Sequence, residues 1–336
     1  MAASNSHPDA PARFEHGHAL LVGVGDDLAV TTQDAAAIHD LLVDPTRCAY
    51  PPAQTRLLTE GNARRADILA ALDGLAQATD AHSTVLVYFS GHGVETPGYY
   101  LLPFGWREAD LPGTAISGAE FTEKLQAIQA QKLLVLLDCC HSGGMAEAKE
   151  KRLVKSPAPT GLFDALSTGA GRVVIASSRK DEVSYTGDPY SLFTGALLEA
   201  LAGYGAFEND GYARVLDTAL WLGRKVPERS QDRQHPIIKV SNLANNFALA
   251  YYAGGAKSPR RLEWKAQAPA AAPRLETAQV EAWQRMLKNH RENLLLIEER
   301  MSEFVEFTAI PLQLVREKRL HERRIAELEQ KLQNAP

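Results

Sequence analysis

The stretch 132–144, KLLVLLDCCHSGG, constrains the fold of this chain more than any other. Leu133 to Leu137 are all apolar, and they give way at once to Asp138, Cys139, Cys140, His141, Ser142 and two glycines. An apolar run of this length bounded by turn residues predicts a central strand of a parallel sheet, covered on both faces. The two cysteines then fall at the strand's carboxyl end, where open α/β sheets place their chemistry.

The rest of the first 253 residues repeats the pattern. His18 to Val24 reads as a first strand, and a helix follows with Thr31 or Thr32 as cap and Ala35, Ile38, Leu41 and Leu42 inward. Thr55 to Leu58 is a second strand, and Asn62 caps a helix carrying Ile68, Leu69, Leu72 and Leu75. Ser83 to Phe89 is a third strand ending in Ser90-Gly91-His92-Gly93, with Tyr99 to Leu102 as a short strand or hairpin arm. A helix bearing Phe121, Leu125 and Ile128 leads into the strand at 132. Residues 145–162 show no period and read as a long basic loop. Arg172 to Ser177 is a fifth strand, Phe193 to Leu201 a helix, Tyr212 to Val226 a helix, and Ile237 to Val240 a last strand. Alternating strands and helices predict an α/β domain with a mainly parallel sheet flanked by helices.

Two motifs land on the same edge of that sheet: Ser90-Gly91-His92-Gly93 and Asp138-Cys139-Cys140-His141-Ser142-Gly143. A cysteine nucleophile acts as its thiolate and needs a base or positive partner, which a histidine supplies. Glycines beside it let backbone N–H groups approach a substrate carbonyl and form an oxyanion hole. His92 lies 48 residues before Cys140, close to the spacing of about 50 between histidine and cysteine in caspase-type enzymes.

These motifs resemble the caspase-like cysteine peptidases of family C14, above all the metacaspases and bacterial orthocaspases. The resemblance covers roughly residues 18–240 and includes Leu101-Leu102-Pro103 and Ala176-Ser177-Ser178. It implies the caspase-like (caspase-hemoglobinase) fold and a cysteine endopeptidase. In that pattern the cysteine before His-Ser-Gly is the nucleophile, Cys140, with His92 as its partner and Gly93 and Cys140 N–H as oxyanion hole. Asp34, Ser90 and Asp138 take the places of the specificity pocket. Two carboxylates there imply cleavage after Arg or Lys, since a guanidinium pairs bidentately with a carboxylate. Animal caspases carry Gln-Ala-Cys instead, so their aspartate specificity does not transfer. Cys139 reads as a packed core thiol, because alternation turns it away from Cys140. Arg152 and Lys155, in the basic loop, become candidate autocleavage sites.

No metal or other cofactor is expected. The Asp26-Asp27 and Asp181-Glu182 pairs are of a kind that binds calcium in some metacaspases, but they read as solvated loop acids. A net charge of −5 gives no footprint for nucleic acid. The chain shows no apolar run of membrane-spanning length and no signal-peptide pattern. Three cysteines are too few for a disulfide framework, so a cytoplasmic location is expected.

Four regions follow: a disordered N-terminus (1–15), the peptidase domain (16–253), an Ala/Pro-rich linker (254–276) and a helical hairpin or coiled-coil module (277–336). Trp283, Leu287, Leu294, Ile297, Met301 and Phe304 share one helical face, Pro311 breaks it, and Leu314, His321, Ile325, Leu328 and Leu332 resume near heptad spacing. A hairpin so thin predicts self-association or a protein partner through 277–332. Regulated proteolysis in stress, defence or cell death is what the family resemblance implies. The alternative is a scaffold that assembles a complex through the hairpin.

Overall fold

The computed structural model describes residues 13–139 apart from 27 and 97, residues 171–262 apart from 180, 181 and 183, and scattered positions between Leu287 and Leu332. The predicted Cys140 nucleophile and the Arg152 and Lys155 autocleavage sites lie outside the described residues, as do Asp27 and Asp181.

The chain runs β1 (Gly17–Gly23), α1 (Ala29–Val43), β2 (Thr55–Thr59), α2 (Arg65–Ala78), β3 (Thr84–Thr96), β4 (Gly98–Leu102), the short α3 (Leu111–Thr114) and β5 (Ile116–Ser117). It continues through α4 (Gly118–Gln126), β6 (Lys132–Cys139), β7 (Arg172–Ala176), α5 (Leu192–Leu201), β8 (Tyr212–Arg214), α6 (Val215–Arg229), β9 (Ile237–Ser241) and β10 (Ala248–Tyr251). The main sheet has the order β2-β1-β3-β6-β7-β9. Its first five strands are parallel and β9 is antiparallel to β7.

Alternation along the central strands sorts the core into two layers. Val85, Val87 and Phe89 of β3 and Leu133, Val135 and Leu137 of β6 pack with Ile68 and Leu72 of α2 and Phe121 and Leu125 of α4. Leu86 and Tyr88, with Leu134 and Leu136, pack on the other side with Ile38 and Leu42 of α1, Phe193 and Leu197 of α5 and Leu222 of α6. Apolar side chains on both faces explain the unbroken apolar runs. At about 25 cal/mol per Å² of apolar surface removed from water, these layers dominate the stabilisation.

Several local expectations are corrected. Helix α1 starts at Ala29 without a side-chain cap. Thr31 lies inside it, its hydroxyl turned back to Leu28 O and receiving Gly25 N–H. Asn62 closes a 3-10 turn, Glu60–Asn62, and α2 opens after Arg64. Tyr212–Arg214 is a strand, not the start of a helix, because Gly211 breaks the chain direction at φ 93° and β10 pairs with it. The strand at 237 is not the last, since β10 follows it and pairs with β8, and it is the antiparallel member of the otherwise parallel run β2-β1-β3-β6-β7-β9. An apolar run does not encode strand direction. Strand β3 does not end at Phe89 but runs on through Ser90-Gly91-His92-Gly93 to Thr96, pairing with β4.

Contacts divide the chain into two compact units, 1–264 and 265–336. In the second, the described positions are helical, and Arg291–Glu329 and Glu298–Lys318 ion pairs join its two arms in antiparallel order. Among the described residues, no helix is long and apolar enough to cross a membrane.

Candidate active site

The register of β3 against β6 sets the site. Ser90 pairs with Asp138 and Gly91 with Cys139. Asp138 occupies a position in β6 that alternation assigns to the layer of Leu134 and Leu136, the side covered by α1 and α5. Asp34 reaches it from α1, and both carboxyl groups are fully buried. Helix α1 can lie this close because β1 ends in glycine: a Cβ on Gly23 would sit 2.3 Å from Thr31 O.

Burying two acids together requires donors, and the segment before α5 supplies them. Asp138 accepts from Ser184 Oγ (3.0 Å), Ser191 Oγ (2.8 Å) and Thr194 Oγ1 (3.5 Å). Asp34 Oδ1 accepts from Ser191 N–H at 3.1 Å, so one serine bridges the two acids while its Oγ also caps α5 at Thr194 N–H. Tyr88 Oη meets Thr194 Oγ1 at 2.8 Å and completes the wall. Asp34 Oδ2 and Ser90 Oγ are buried with no hydrogen-bond partner among the described residues. Burial first, and the Asp138 charge second, raise the Asp34 carboxyl to about 8, and the Ser191 hydrogen bond offsets this only in part.

His92 and Gly93 lie two and three residues beyond Ser90 on the same strand, paired with Leu102 and Leu101 of β4. His92 is buried in this extension of the sheet. A Cβ on Gly93 would stand 2.1 Å from Tyr99 Oη, so tyrosine packing by itself requires glycine there. Cys139 sits in the opposite layer, near Tyr99 and Leu137. Burial pushes its thiol up to about 12, and the Tyr99 hydroxyl pulls weakly the other way. A thiol held so far from ionisation is a poor nucleophile at neutral pH. Cys48 is likewise buried, with its thiol raised by desolvation.

Thus Asp34, Ser90 and Asp138 come together, and His92 and Gly93 follow on the strand that carries Ser90. Ser184, Ser191 and Thr194 have no counterpart in the sequence motifs. The only local signal is Ser191 preceding an apolar helical run, an ordinary cap pattern. Glu182 of the predicted acidic loop pair is engaged by His235, at 2.7 Å. Among the described residues no cluster of His, Cys, Asp or Glu has the make-up of a metal site.

A mainly parallel sheet between helical layers, with this site at its carboxyl edge, defines a caspase-like α/β protein. The caspase-domain model of the peptidase C14 family matches residues 16–248, and the chain belongs to that family. Metacaspase-1A of Aspergillus clavatus is 26% identical over 192 residues, which cover 51% of this chain and 41% of the relative's length. The chain therefore spans less than half of that curated relative. A crystal structure of a Geobacter sulfurreducens protein superposes with a TM-score of 0.46 at 17% identity, over 70% of this chain and 96% of the other.

Proposed function

We propose that this chain is a cysteine endopeptidase that hydrolyses peptide bonds after Arg or Lys. The observation that carries the proposal is the buried acid pair at the sheet's carboxyl edge, where an acceptor oxygen of Asp34 and the Ser90 hydroxyl have no hydrogen-bond partner among the described residues. A guanidinium is planar, permanently charged and rich in donors, so it can satisfy Asp34 Oδ2 and Ser90 Oγ together. An ammonium can do the same as a point charge. An acidic side chain would be repelled. Near neutral pH the empty pocket holds a proton on Asp34, which an entering cation displaces.

In the chemistry that this reading assigns, Cys140 Sγ attacks the carbonyl carbon of the basic residue while His92 takes up the thiol proton. Gly93 N–H and Cys140 N–H hold the developing oxyanion. His92 then protonates the leaving amine, and water hydrolyses the thioester, restoring Cys140. Support for the pairing comes from sequence continuity: Cys140 follows Cys139, whose register partner Gly91 precedes His92. Autoprocessing at Arg152 or Lys155, and control through a partner or second copy bound by residues 277–332, belong to the same reading.

Fluorogenic peptides carrying Arg, Lys, Asp or Asn before the cleaved bond test it. Turnover of the Arg and Lys peptides, lost in Cys140→Ala, is expected. Turnover of the Asp peptide at a comparable rate would overturn the specificity, and full activity of Cys140→Ala would overturn the chemistry. Intact mass of the wild-type chain beside Cys140→Ala tests autoprocessing, for which fragments ending at Arg152 or Lys155 should appear in the wild type alone.

A further inference from the structure

Three consecutive residues outside every motif, Arg233, Gln234 and His235, grip the segment that supplies the pocket's hydroxyl donors. The Arg233 guanidinium carbon lies 5.0 Å from the centre of the Tyr185 ring. His235 N–H donates to Glu182 Oε2, and its ring nitrogens stand 2.7 Å from Glu182 Oε1 and 2.9 Å from Asp232 Oδ1. Between them Gln234 is fully buried and uses both ends of its amide. Its Oε1 accepts Tyr185 N–H at 2.9 Å, and its Nε2 donates to Ser177 O at 2.8 Å and to Ser184 Oγ at 3.1 Å.

Those partners leave the amide one orientation. Tyr185 N–H can only donate and Ser177 O can only accept, so Oε1 and Nε2 cannot exchange places. Ser184 Oγ, receiving a hydrogen from Gln234, is left to direct its own hydrogen at Asp138 Oδ1, 3.0 Å away. The hydrogen bonds therefore run in one sense from Gln234 through Ser184 to Asp138, each polarising the next. Ser191, which holds both acids, lies further along the same segment.

We infer that Gln234 is the positioning residue for the specificity pocket, fixing through Ser184 the orientation in which Asp138 receives a basic side chain. The inference rests on the proposed basic-side-chain pocket. Gln234 touches no substrate in this assignment. It acts through Ser184, and through the backbone of Ser177 and Tyr185 that its amide also holds.

The test compares two reagents on the full-length chain, both read by mass at the Cys140 peptide. An arginine-based acyloxymethyl ketone needs the pocket, and iodoacetamide needs only the thiolate. In Gln234→Met, which keeps the volume and removes the amide, labelling by the arginine probe should slow about tenfold or more through weaker probe binding, with iodoacetamide labelling within about twofold. Ser184→Ala should shift the ratio in the same direction, and the double variant should lose no more than the larger single loss, because the two residues act in one chain. Equal slowing with both reagents, or additive losses in the double variant, would overturn the inference. Should Gln234→Met fold poorly in a thermal melt, Ser184→Ala alone decides: an unchanged reagent ratio there also overturns it. A wild-type chain that labels no faster with the arginine probe than with its aspartate counterpart defeats the basic pocket instead. An arginine preference that survives Gln234→Met intact defeats only the role of Gln234.

Discussion

Asp138 and Cys139 are neighbours on one strand, both buried, and they belong to opposite chemical worlds. Desolvation disfavours the charged form of both an acid and a thiol. On the α1/α5 side, three hydroxyl groups converge on the Asp138 carboxylate and an N–H on Asp34. On the α2/α4 side Cys139 has a tyrosine hydroxyl and otherwise hydrocarbon, and its thiol is pushed up to about 12. Burial alone silences a titratable group. Burial with aimed donors holds two acids together, and that pair is what the proposed preference for a cation rests on.

The largest test of that contrast concerns the cysteines themselves. Cys140→Ala should lower kcat/KM by at least about 10³-fold, as loss of a nucleophile does, whereas Cys139→Ala should leave activity within a few-fold. A reversed outcome in peptide turnover would mean that the thiol on the α2/α4 side is the nucleophile. Next come the acids. Asp138→Asn and Asp34→Asn should each lower kcat/KM for arginine peptides by about 10–100-fold, the value of a charge-assisted hydrogen bond. A preference for arginine over neutral residues that persists in both variants would rule the pair out as the selector.

A smaller effect follows from the proton on Asp34. Its carboxyl rises from 3.8 to about 8 on folding, so between those values the folded state binds more protons than the unfolded one. The contribution of this group to stability is therefore complete below about pH 4 and is lost as pH rises toward 8. Melting of the ligand-free chain across that interval should show the decline, and Asp34→Asn should flatten it. Binding an arginine-based inhibitor near pH 7 should release up to one proton, measurable by calorimetry in buffers of different ionisation enthalpy, and Asp34→Asn should abolish the release. Smallest of all is Tyr99→Phe. The Tyr99 hydroxyl is buried with no hydrogen-bond partner among the described residues, so its removal should change stability by less than about 1 kcal/mol in a denaturant titration. A loss well above that would show that the hydroxyl matters to the Cys139 side.

The strand pattern and the site's first residues were legible because they obey local rules. Runs such as Leu133–Leu137 announce a strand buried on both faces, and Ser90 and Asp138 inherit their adjacency from two such strands in register. Ser184, Ser191 and Gln234 were not legible. They lie on irregular backbone with no period, and their significance arises from hydrogen bonds that span 46 to 157 residues. The caps at Thr31 and Asn62 were misplaced for a related reason: each side chain had a competing local use, Thr31 in tying Gly25 to Leu28 and Asn62 in a 3-10 turn. The continuation of β3 past Ser90 was hidden because the apolar run stops at Phe89 and the polar and glycine residues beyond it carry no strand period until β4 is seen beside them.

That continuation turns the strand into a ruler. Ser90, of the proposed pocket, and His92, the proposed base, are two residues apart on a single extended strand, and a strand advances about 3.3 Å per residue. Their separation of about 7 Å is thus set by covalent geometry, with no hinge between them. On the proposed reading, a substrate that seats a basic side chain has its scissile carbonyl metered against the histidine in the same act. Inserting one residue at Gly91 would leave pocket and base each intact and put them out of step.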